Sequence, residues 1–568
     1  MKTARKALNR FLLCLPTLPL LLSGACNGTA QSTVSPSAIK PTASIRFHDE
    51  AQHAGLTFRW GHKSLNGLTI LDTIGHGCAF LDYDGDGKLD VLLVGNDHCV
   101  LYRNKGDGTF EDVTEKAFPN APRRSRLLGC AVADYDGDGR PDIFVTGYGR
   151  TILYHNEGNG TFRDVTAGSG LEARSADDWT TSAAWADVEG DGVLSLYVCR
   201  YVRFNGTTLQ LCHFPTLNGG DFMTACGPLN YRPEKGSLYR YVGNGRFRDV
   251  TKESGLDSAH GNALACMFCD FNGDGKPDLY VANDQVQGDL FVNIGHGKFE
   301  NRSVEAGVAY NANGVLPSGM GVDWADYDGD GRFDLLVADF AAQPKSLFHN
   351  EGAVFSQASY PSGLGSATLR VLNFGIAFID ASNDGRPDIA LANGHIMPQV
   401  EKTTAEQTYP QPTLFLHNVG GKYEDVSAAA GPDFARKIVG RGIAIGDYDG
   451  DGRLDMLIVN DEGAPLLLHN DSPPGNHWIT LRCLWRPGGS DAVGSRVTLL
   501  AGDRKQIAEV RAGGSYLSTN APEVHFGLGA STSVDQIEIR WPDGRVSHFT
   551  NIMGDRAYRT SPGDTILH

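Results

Sequence analysis

The apolar and polar positions of this chain follow one template seven times. It is clearest in Gly77-Cys-Ala-Phe-Leu-Asp82-Tyr-Asp84-Gly-Asp86-Gly-Lys-Leu-Asp90-Val-Leu-Leu-Val94, where an apolar run, an acidic loop and a second apolar run follow one another. A turn comes next, then a short strand such as Leu101-Tyr-Arg-Asn104, a Gly-rich turn, and Thr109-Phe-Glu-Asp-Val-Thr114. Each repeat therefore predicts four short strands joined by hairpin turns. A recurrence at about 50 residues is the signature of blades set around an axis, with an open solenoid as the competing architecture. The last repeat discriminates between the two. It stops after Leu466-Leu-Leu-His-Asn470 without a fourth strand, whereas Ile45-Arg-Phe-His-Asp49 precedes the first repeat. The N-terminal strand is expected to complete the last blade, closing the ring and removing its edges. The expected fold is all-β: a seven-bladed β-propeller with Asp-rich calcium loops over residues 45–472, followed by a small antiparallel β domain over residues 473–568. The second unit is read from alternating runs at 477–483, 495–500, 524–528 and 536–541. Residues 511–518 and 541–544 read as its turns and by themselves assign no chemistry.

The acidic loops carry the candidate chemistry. In the first, Asp82, Asp84 and Asp86 alternate, Gly87 follows, Lys88 can offer an ion only its carbonyl, and Asp90 comes last. An Asp-Gly pair alone is a strong hairpin signal, but a turn needs only one such pair. Four carboxylates within nine residues repel one another and raise their own pKa values unless a cation sits among them. The ligand order and the Gly match the first half of an EF-hand loop, yet position 12 is Leu93 instead of a bidentate Glu, and strands flank the loop. Hard oxygen donors without His or Cys favour calcium over magnesium. Five loops are complete: Asp82/Asp84/Asp86/Asp90, Asp134/Asp136/Asp138/Asp142, Asp270/Asn272/Asp274/Asp278, Asp326/Asp328/Asp330/Asp334 and Asp447/Asp449/Asp451/Asp455. A sixth, Asp380/Ser382/Asp384/Asp388, has exchanged one carboxylate for a hydroxyl. The third keeps Asp187, Glu189 and Asp191 but has Ser195 in place of the closing Asp. The expectation is calcium at five sites and up to seven.

Charge and cysteines narrow the setting. A net charge of −17 argues against a nucleic acid as partner. Residues 1–25 read as an export signal, with Lys2, Arg5, Lys6 and Arg10 before an apolar run. Cys26 is a candidate lipid anchor, and ordinary cleavage after a small residue accounts equally for the same positions. Residues 26–44 read as a disordered tether. No later segment is apolar long enough to span a bilayer. Of the 11 cysteines, Cys212 and Cys226 flank one insertion and form the best candidate disulfide, while Cys266 and Cys269 read as packed core residues.

On the side away from the acidic loops the template places Asn96-Asp97-His98, Asn283-Asp284, Asn393-Gly394-His395 and Asn460-Asp461-Glu462. The insertion at 200–235, His76, the run Arg123-Arg124-Ser125-Arg126 and His260 join them there. Loops on a rigid scaffold are where binding concentrates. The functional expectation is an exported calcium-binding interaction or scaffold module for a protein or polysaccharide ligand, with a secreted carbohydrate-active enzyme as the alternative.

The Asp-x-Asp-Gly-Asp-Gly-x-x-Asp loops, tails such as Leu153-Tyr-His-Asn-Glu-Gly-Asn-Gly-Thr-Phe-Arg-Asp-Val-Thr166, and the segments Cys226-Gly-Pro228, Asn393-Gly-His395, Gly513-Gly-Ser-Tyr516 and His525-Phe-Gly-Leu-Gly529 are shared marks. Over about residues 45 to 555 the chain resembles bacterial members of the cartilage acidic protein family, in which FG-GAP or VCBS-type repeats precede an ASPIC/UnbV domain. The resemblance implies calcium binding through the Asp loops and an extracellular or periplasmic setting. It names no reaction.

Overall fold

The computed structural model describes residues 45–61, 68–119, 126–206 and 210–568. Residues 1–25, read as an export signal, residues 26–44, read as a tether, and Arg123, Arg124 and Ser125 lie outside the described residues. Residues 43–568 form one compact unit.

Between residues 45 and 470 the chain builds seven four-stranded antiparallel sheets among the described residues. The first holds Cys78–Leu81, Asp90–Val94, Cys99–Asn104 and Phe110–Asp112, paired in chain order. The last holds Gly440–Gly446, Asp455–Asn460 and Leu466–Asn470, and takes Phe47–Asp49 as its fourth strand. Phe47 lies opposite Asn470 and Asp49 opposite Leu468, the pairing expected from the sequence. The first strands of the sheets neighbour one another in cyclic order: Cys78–Leu81 touches both Arg126–Ala133 and Gly440–Gly446. Such inner strands are buried on both faces, which is why Ala263–Cys269 and residues 374–379 read as unbroken apolar runs. Cys78, Cys130, Cys266 and Cys269 are all buried thiols of these strands. Apolar side chains of adjacent sheets interdigitate, as Phe80, Leu93, Ala444 and Leu457 do between the first and the last.

The C-terminal residues add a four-stranded sheet, in the order Arg504–Glu509, Arg496–Ala501, Ser533–Arg540 and Val546–Met553, and a three-stranded one. In the latter, His477–Cys483 pairs antiparallel with Val524–Gly529 but parallel with Arg556–Thr560. The expectation of an antiparallel domain is corrected on this point. After the turn at Gly554-Asp555, where the Asp555 N–H donates to the Trp478 carbonyl at 2.7 Å, the last strand covers the free edge of His477–Cys483.

The segment read as a bare turn is the axis of the molecule. Residues 511–521 leave the C-terminal sheets and run among the inner strands. Ala512 bridges Trp185, Ser515 bridges Val322, and Thr519 bridges Ala79. The Cys130 N–H donates to the Leu517 carbonyl at 3.0 Å, the Ile376 N–H to Ser515 Oγ at 2.9 Å, and the Ala521 N–H to the Ile445 carbonyl at 2.9 Å. Tyr516 and Leu517 are fully buried; the Tyr516 ring packs on Phe374 and its hydroxyl donates to the Ile74 carbonyl. Gly77 admits this approach, since a Cβ there would lie 1.8 Å from the Leu517 oxygen. Truncating a buried ring costs about 3–5 kcal/mol. Tyr516→Ala should lower stability by that amount in urea unfolding, and a loss below about 1 kcal/mol would show that the axial segment is no part of the core.

Candidate metal loops and the covered face

The structure gives the four carboxylates of a loop different tasks. The first Asp organises its own loop: Asp134 Oδ1 accepts from the Gly137 N–H at 2.8 Å and the Asp138 N–H at 3.1 Å, and its Oδ2 from Gly139. Asp187, Asp326 and Asp447 repeat this pattern. It requires the left-handed backbone that Gly137 (φ 77°) and Gly139 (φ 94°) supply. The closing Asp, buried at the start of the second strand, buckles the sheet. Asp90 accepts from the Tyr83 N–H at 3.0 Å and from the Asn104 N–H of the third strand at 2.7 Å. Asp142, Asp334, Asp388 and Asp455 do the same with Asn156, Asn350, Asn418 and Asn470.

Those asparagines were not singled out by sequence reasoning, although they recur in Leu101-Tyr-Arg-Asn104 and its counterparts. Each side-chain amide reaches the loop of the preceding sheet. Asn156 donates to the Tyr83 carbonyl at 2.8 Å, Asn293 to Val188, Asn350 to Phe271, Asn418 to Tyr327, and Asn470 to Ala381. Asn104 donates to the Tyr448 carbonyl at 2.8 Å and so joins the first sheet to the last. The third sheet breaks the pattern twice: Ser195 replaces the closing Asp, and Tyr241 stands where Asn is expected. There the Tyr241 ring packs on Tyr135 instead, 5.4 Å between centroids.

The two middle carboxylates face outward and meet cationic side chains. Lys88 Nζ lies 2.7 Å from Asp86 Oδ2, and Arg103 of the third strand bridges Asp84 and Asp86. Lys88, expected to offer only its carbonyl, thus brings its side chain to the loop. Lys276 pairs with Asp274 at 2.6 Å, and Arg140, Arg332, Arg386 and Arg453 pair with Asp138, Asp330, Asp384 and Asp451. Arg240 spans Glu189 and Asp191 of the third loop. In four sheets the residue before the asparagine is a histidine. His155 Nδ1 lies 3.2 Å from Asp142 and 3.5 Å from Asp136; His349 and His469 are placed alike, and His417 lies 2.8 Å from Asp388. The sequence showed these imidazoles only as part of a third-strand pattern.

These residues could hold a divalent cation, and the expectation of oxygen donors without His is corrected at three loops, where His155, His349 and His469 stand among the carboxylates. Candidate ligand atoms of Asp82/Asp84/Asp86, Asp134/Asp136/Asp138, Asp328/Asp330/His349 and Asp449/Asp451/His469 converge within 4.8 Å in each group. Buried oxygens Asp82 Oδ1, Asp136 Oδ1, Asp270 Oδ1 and Asp278 Oδ2 have no hydrogen-bond partner, the condition a bound cation would relieve. Burial, reinforced by neighbouring carboxylates, pushes Asp90 and Asp334 up to about 8 and Asp142 up to about 7.

The C-terminal domain covers this side of the sheets. Arg482 Nη1 lies 3.3 Å from Asp82, Ser490 Oγ donates to Asp134 at 2.6 Å, and Arg540 pairs with Asp270. His525 Nε2 lies 2.7 Å from Asn383 Oδ1, and Asn476 donates to the Ser382 carbonyl at 2.8 Å. The polar groups expected on the other side are engaged with one another. His76 Nδ1 lies 2.5 Å from Asp461, the Tyr201 hydroxyl donates to Asp284 at 2.6 Å, His260 pairs with Asp289 at 2.6 Å, and His98 pairs with Asp97 at 2.7 Å. His395 is buried, and its Nδ1 accepts from the Met397 N–H at 3.0 Å. The insertion forms a hairpin of Leu211–Pro215 and Asp221–Ala225, and Cys212 is disulfide-bonded to Cys226 as expected.

Family profiles match two parts of the chain. FG-GAP-like repeats match residues 82–145, 134–198, 221–281 and 270–337, and the ASPIC and UnbV family matches residues 486–566. Cartilage acidic protein 1 of Mus musculus is 24% identical over 505 residues, covering 83% of this chain and 71% of the relative. Its Xenopus tropicalis counterpart is 26% identical over 507 residues, with the same coverage. The chain carries FG-GAP-like repeats and an ASPIC/UnbV domain, and it is homologous to cartilage acidic protein 1 across 83% of its length. Among solved structures, a lectin from Agrocybe aegerita described as recognising terminal N-acetylglucosamine is 19% identical, with a TM-score of 0.40 over 62% of this chain and 79% of that one. YCF48 bound to a D1 peptide is 11% identical, with a TM-score of 0.38 over 73% of this chain and 100% of that one. The fold is all-β and, by its FG-GAP repeats and the cyclic order of its seven four-stranded sheets, propeller-like.

The raised carboxyl pKa values fix a sign. An unfolded Asp titrates near about 4, so protons bind the metal-free folded state more tightly than the unfolded one, and stability is greatest below that value. Chelator-treated protein should lose stability in urea as pH rises from about 4 to about 8, and saturating divalent cation should abolish the loss. A metal-free stability that is flat or rises over this window would contradict the burial of uncompensated carboxylates.

Proposed function

We propose that the chain is an exported, calcium-organised seven-bladed propeller that acts as an interaction or scaffold module for a protein or polysaccharide ligand. The propeller spans residues 45–472 and carries an ASPIC/UnbV-like domain over residues 473–568. The cyclic contacts of seven inner strands and the Asn104 link from the first sheet to the last support the closed ring. The disulfide at Cys212 and Cys226 and the signal-like residues 1–25 support export. Among the described residues no helix is long and apolar enough to cross a membrane.

The observation that carries the calcium reading is the set of buried carboxylate oxygens without partners at Asp82, Asp136, Asp270 and Asp278. The middle oxygen donors Asp84/Asp86, Asp136/Asp138, Asn272/Asp274, Asp328/Asp330, Ser382/Asp384 and Asp449/Asp451 would hold the ions, with the first and closing Asp of each loop completing the oxygen shell. Calcium supplies positive charge to a cage that otherwise depends on Lys, Arg and His. The third loop, lacking a closing Asp and bridged by Arg240, is the weakest site. A filled axis supports a module that presents surfaces over an enzyme with a central cleft, because Tyr516 and Leu517 occupy that position.

A thermal melt with excess calcium and with excess chelator, paired with elemental analysis, tests this reading. The expected outcome is a fall in Tm of at least ~10 °C on chelation and five to seven calcium ions per chain, consistent with ligand linkage at several sites. No metal and an unchanged Tm would reduce the loops to turns and overturn the reading.

A further inference from the structure

The N-terminal strand that completes the last sheet carries a group of side chains that the Asp loops do not use. In His48-Asp-Glu50-Ala-Gln-His53, His48 and Glu50 are two apart on extended chain and so share a face. Asp49, on the other face, pairs with Arg436. A single helical turn follows, closed by the Ala54 N–H donating to the Glu50 carbonyl at 2.7 Å, and it brings His53 to the side of Glu50. The Glu50 carboxylate consequently stands between two imidazoles: its Oε1 meets His48 Nε2, and its Oε2 lies 2.7 Å from His53 Nδ1.

The His48 ring is held from its other side as well. Its Nδ1 meets Asp471, which follows the neighbouring strand Leu466–Asn470, and the ring stands edge-on to its cross-strand partner His469, 5.4 Å between centroids. Among the described residues, Glu50 and Asp471 form ion pairs with histidines alone, and no Lys or Arg balances them. That leaves a conflict. A neutral imidazole carries one N–H, so His48 can donate to Asp471 or to Glu50, and it turns a lone pair toward the carboxylate it does not serve. Two acceptors that face one another repel unless a cation lies between them.

A divalent ion shared by His48 Nε2, Glu50 and His53 Nδ1 removes the conflict. The His48 Nδ1–H then donates to Asp471, the arrangement in which a carboxylate fixes the tautomer and orientation of a metal-bound imidazole, and His53 keeps its N–H on Nε2, toward water. Two imidazoles and one carboxylate suit zinc, with water in the fourth position, and suit calcium poorly. With zinc–ligand bonds of about 2.0–2.2 Å, ligand atoms of a tetrahedron stand about 3.3 Å apart, so the pair of His53 and Glu50 has to open by about 0.6 Å. The His53 side chain is 84% exposed and free to make that movement.

We propose that His48, Glu50 and His53 form a zinc-class transition-metal site on the strand that closes the ring, with Asp471 orienting His48. Its nitrogen donors set it apart from the oxygen-rich Asp loops.

Zinc should be titrated by calorimetry into full-length protein held in excess calcium, which occupies the competing Asp loops. Zinc should bind, and His53→Ala and Glu50→Gln should each weaken that binding by about 10-fold or more, since losing even a group that only supports a ligand costs this much. His53→Ala, a change at the surface, should leave the calcium-dependent melt where it was. The proposal is overturned if calcium-loaded protein takes up no zinc, or if either variant binds zinc as the parent does. The calcium reading stands or falls separately, on its own melt.

Discussion

The molecule depends on one recurring clasp: a buried closing aspartate accepting the N–H of a third-strand asparagine whose amide grips the loop of the preceding sheet. Asp142 and Asn156 show it in full, with both aspartate oxygens used within the sheet and the amide spent on Tyr83 of its neighbour. A four-stranded sheet of short strands is marginal by itself. The clasp makes each sheet's order conditional on the one before it, and through Asn104 and Tyr448 the series returns to its start. The third sheet illustrates the rule by exception. Having lost the closing Asp, it has no anchor for an Asn, and an aromatic contact between Tyr241 and Tyr135 takes over at the same joint.

The clasp buries a carboxyl group in the protein interior at six of the loops, where its ionisation is costly, and much of the remaining architecture answers that cost. Neighbouring Lys, Arg and His side chains meet the outer carboxylates, and Arg482 and Arg540 of the C-terminal domain meet the inner ones at Asp82 and Asp270. Buried ion pairs gain only when their geometry satisfies the remaining lone pairs. The partnerless oxygens at Asp82, Asp270 and Asp278 show where protein cations fall short. A metal ion held in these loops would therefore act on the same carboxylates that Arg482 and Arg540 already meet, and its loading would be coupled to the seating of the C-terminal sheets.

The repeat, the N-terminal closure and the Cys212–Cys226 pair were legible because each is a local pattern: a fixed spacing, a missing strand with its counterpart at the other end, two cysteines around one insertion. The four-carboxylate loop was legible as a unit but not as a division of labour, since position along the loop does not say which oxygens will be consumed by backbone N–H groups. His155, His349 and His469 face the carboxylates only because the third strand lies beside the loop, a contact of non-neighbouring segments. The parallel pairing of Arg556–Thr560 was hidden for the same reason, because alternation identifies a strand and not its partner.

The axial segment was the largest omission, and its cause is instructive. Gly513-Gly-Ser-Tyr516 has the composition of an exposed turn, and Ser515 and Leu517 adopt positive φ (49° and 57°), as turn residues do. What turns the segment inward is outside it: glycines such as Gly77 and Gly129 on inner strands that leave room for the Leu517 backbone, and inner-strand N–H groups that need acceptors. A buried N–H without a partner is costly, and the inner-strand donors Cys130 and Ile376 find their acceptors on this irregular segment. The same choice shifts function outward. With residues 511–521 among the inner strands and the Asp loops partly roofed by the C-terminal sheets, a space of about 1110 Å3 remains where that roof stands clear of the loops of the first, fifth, sixth and seventh sheets.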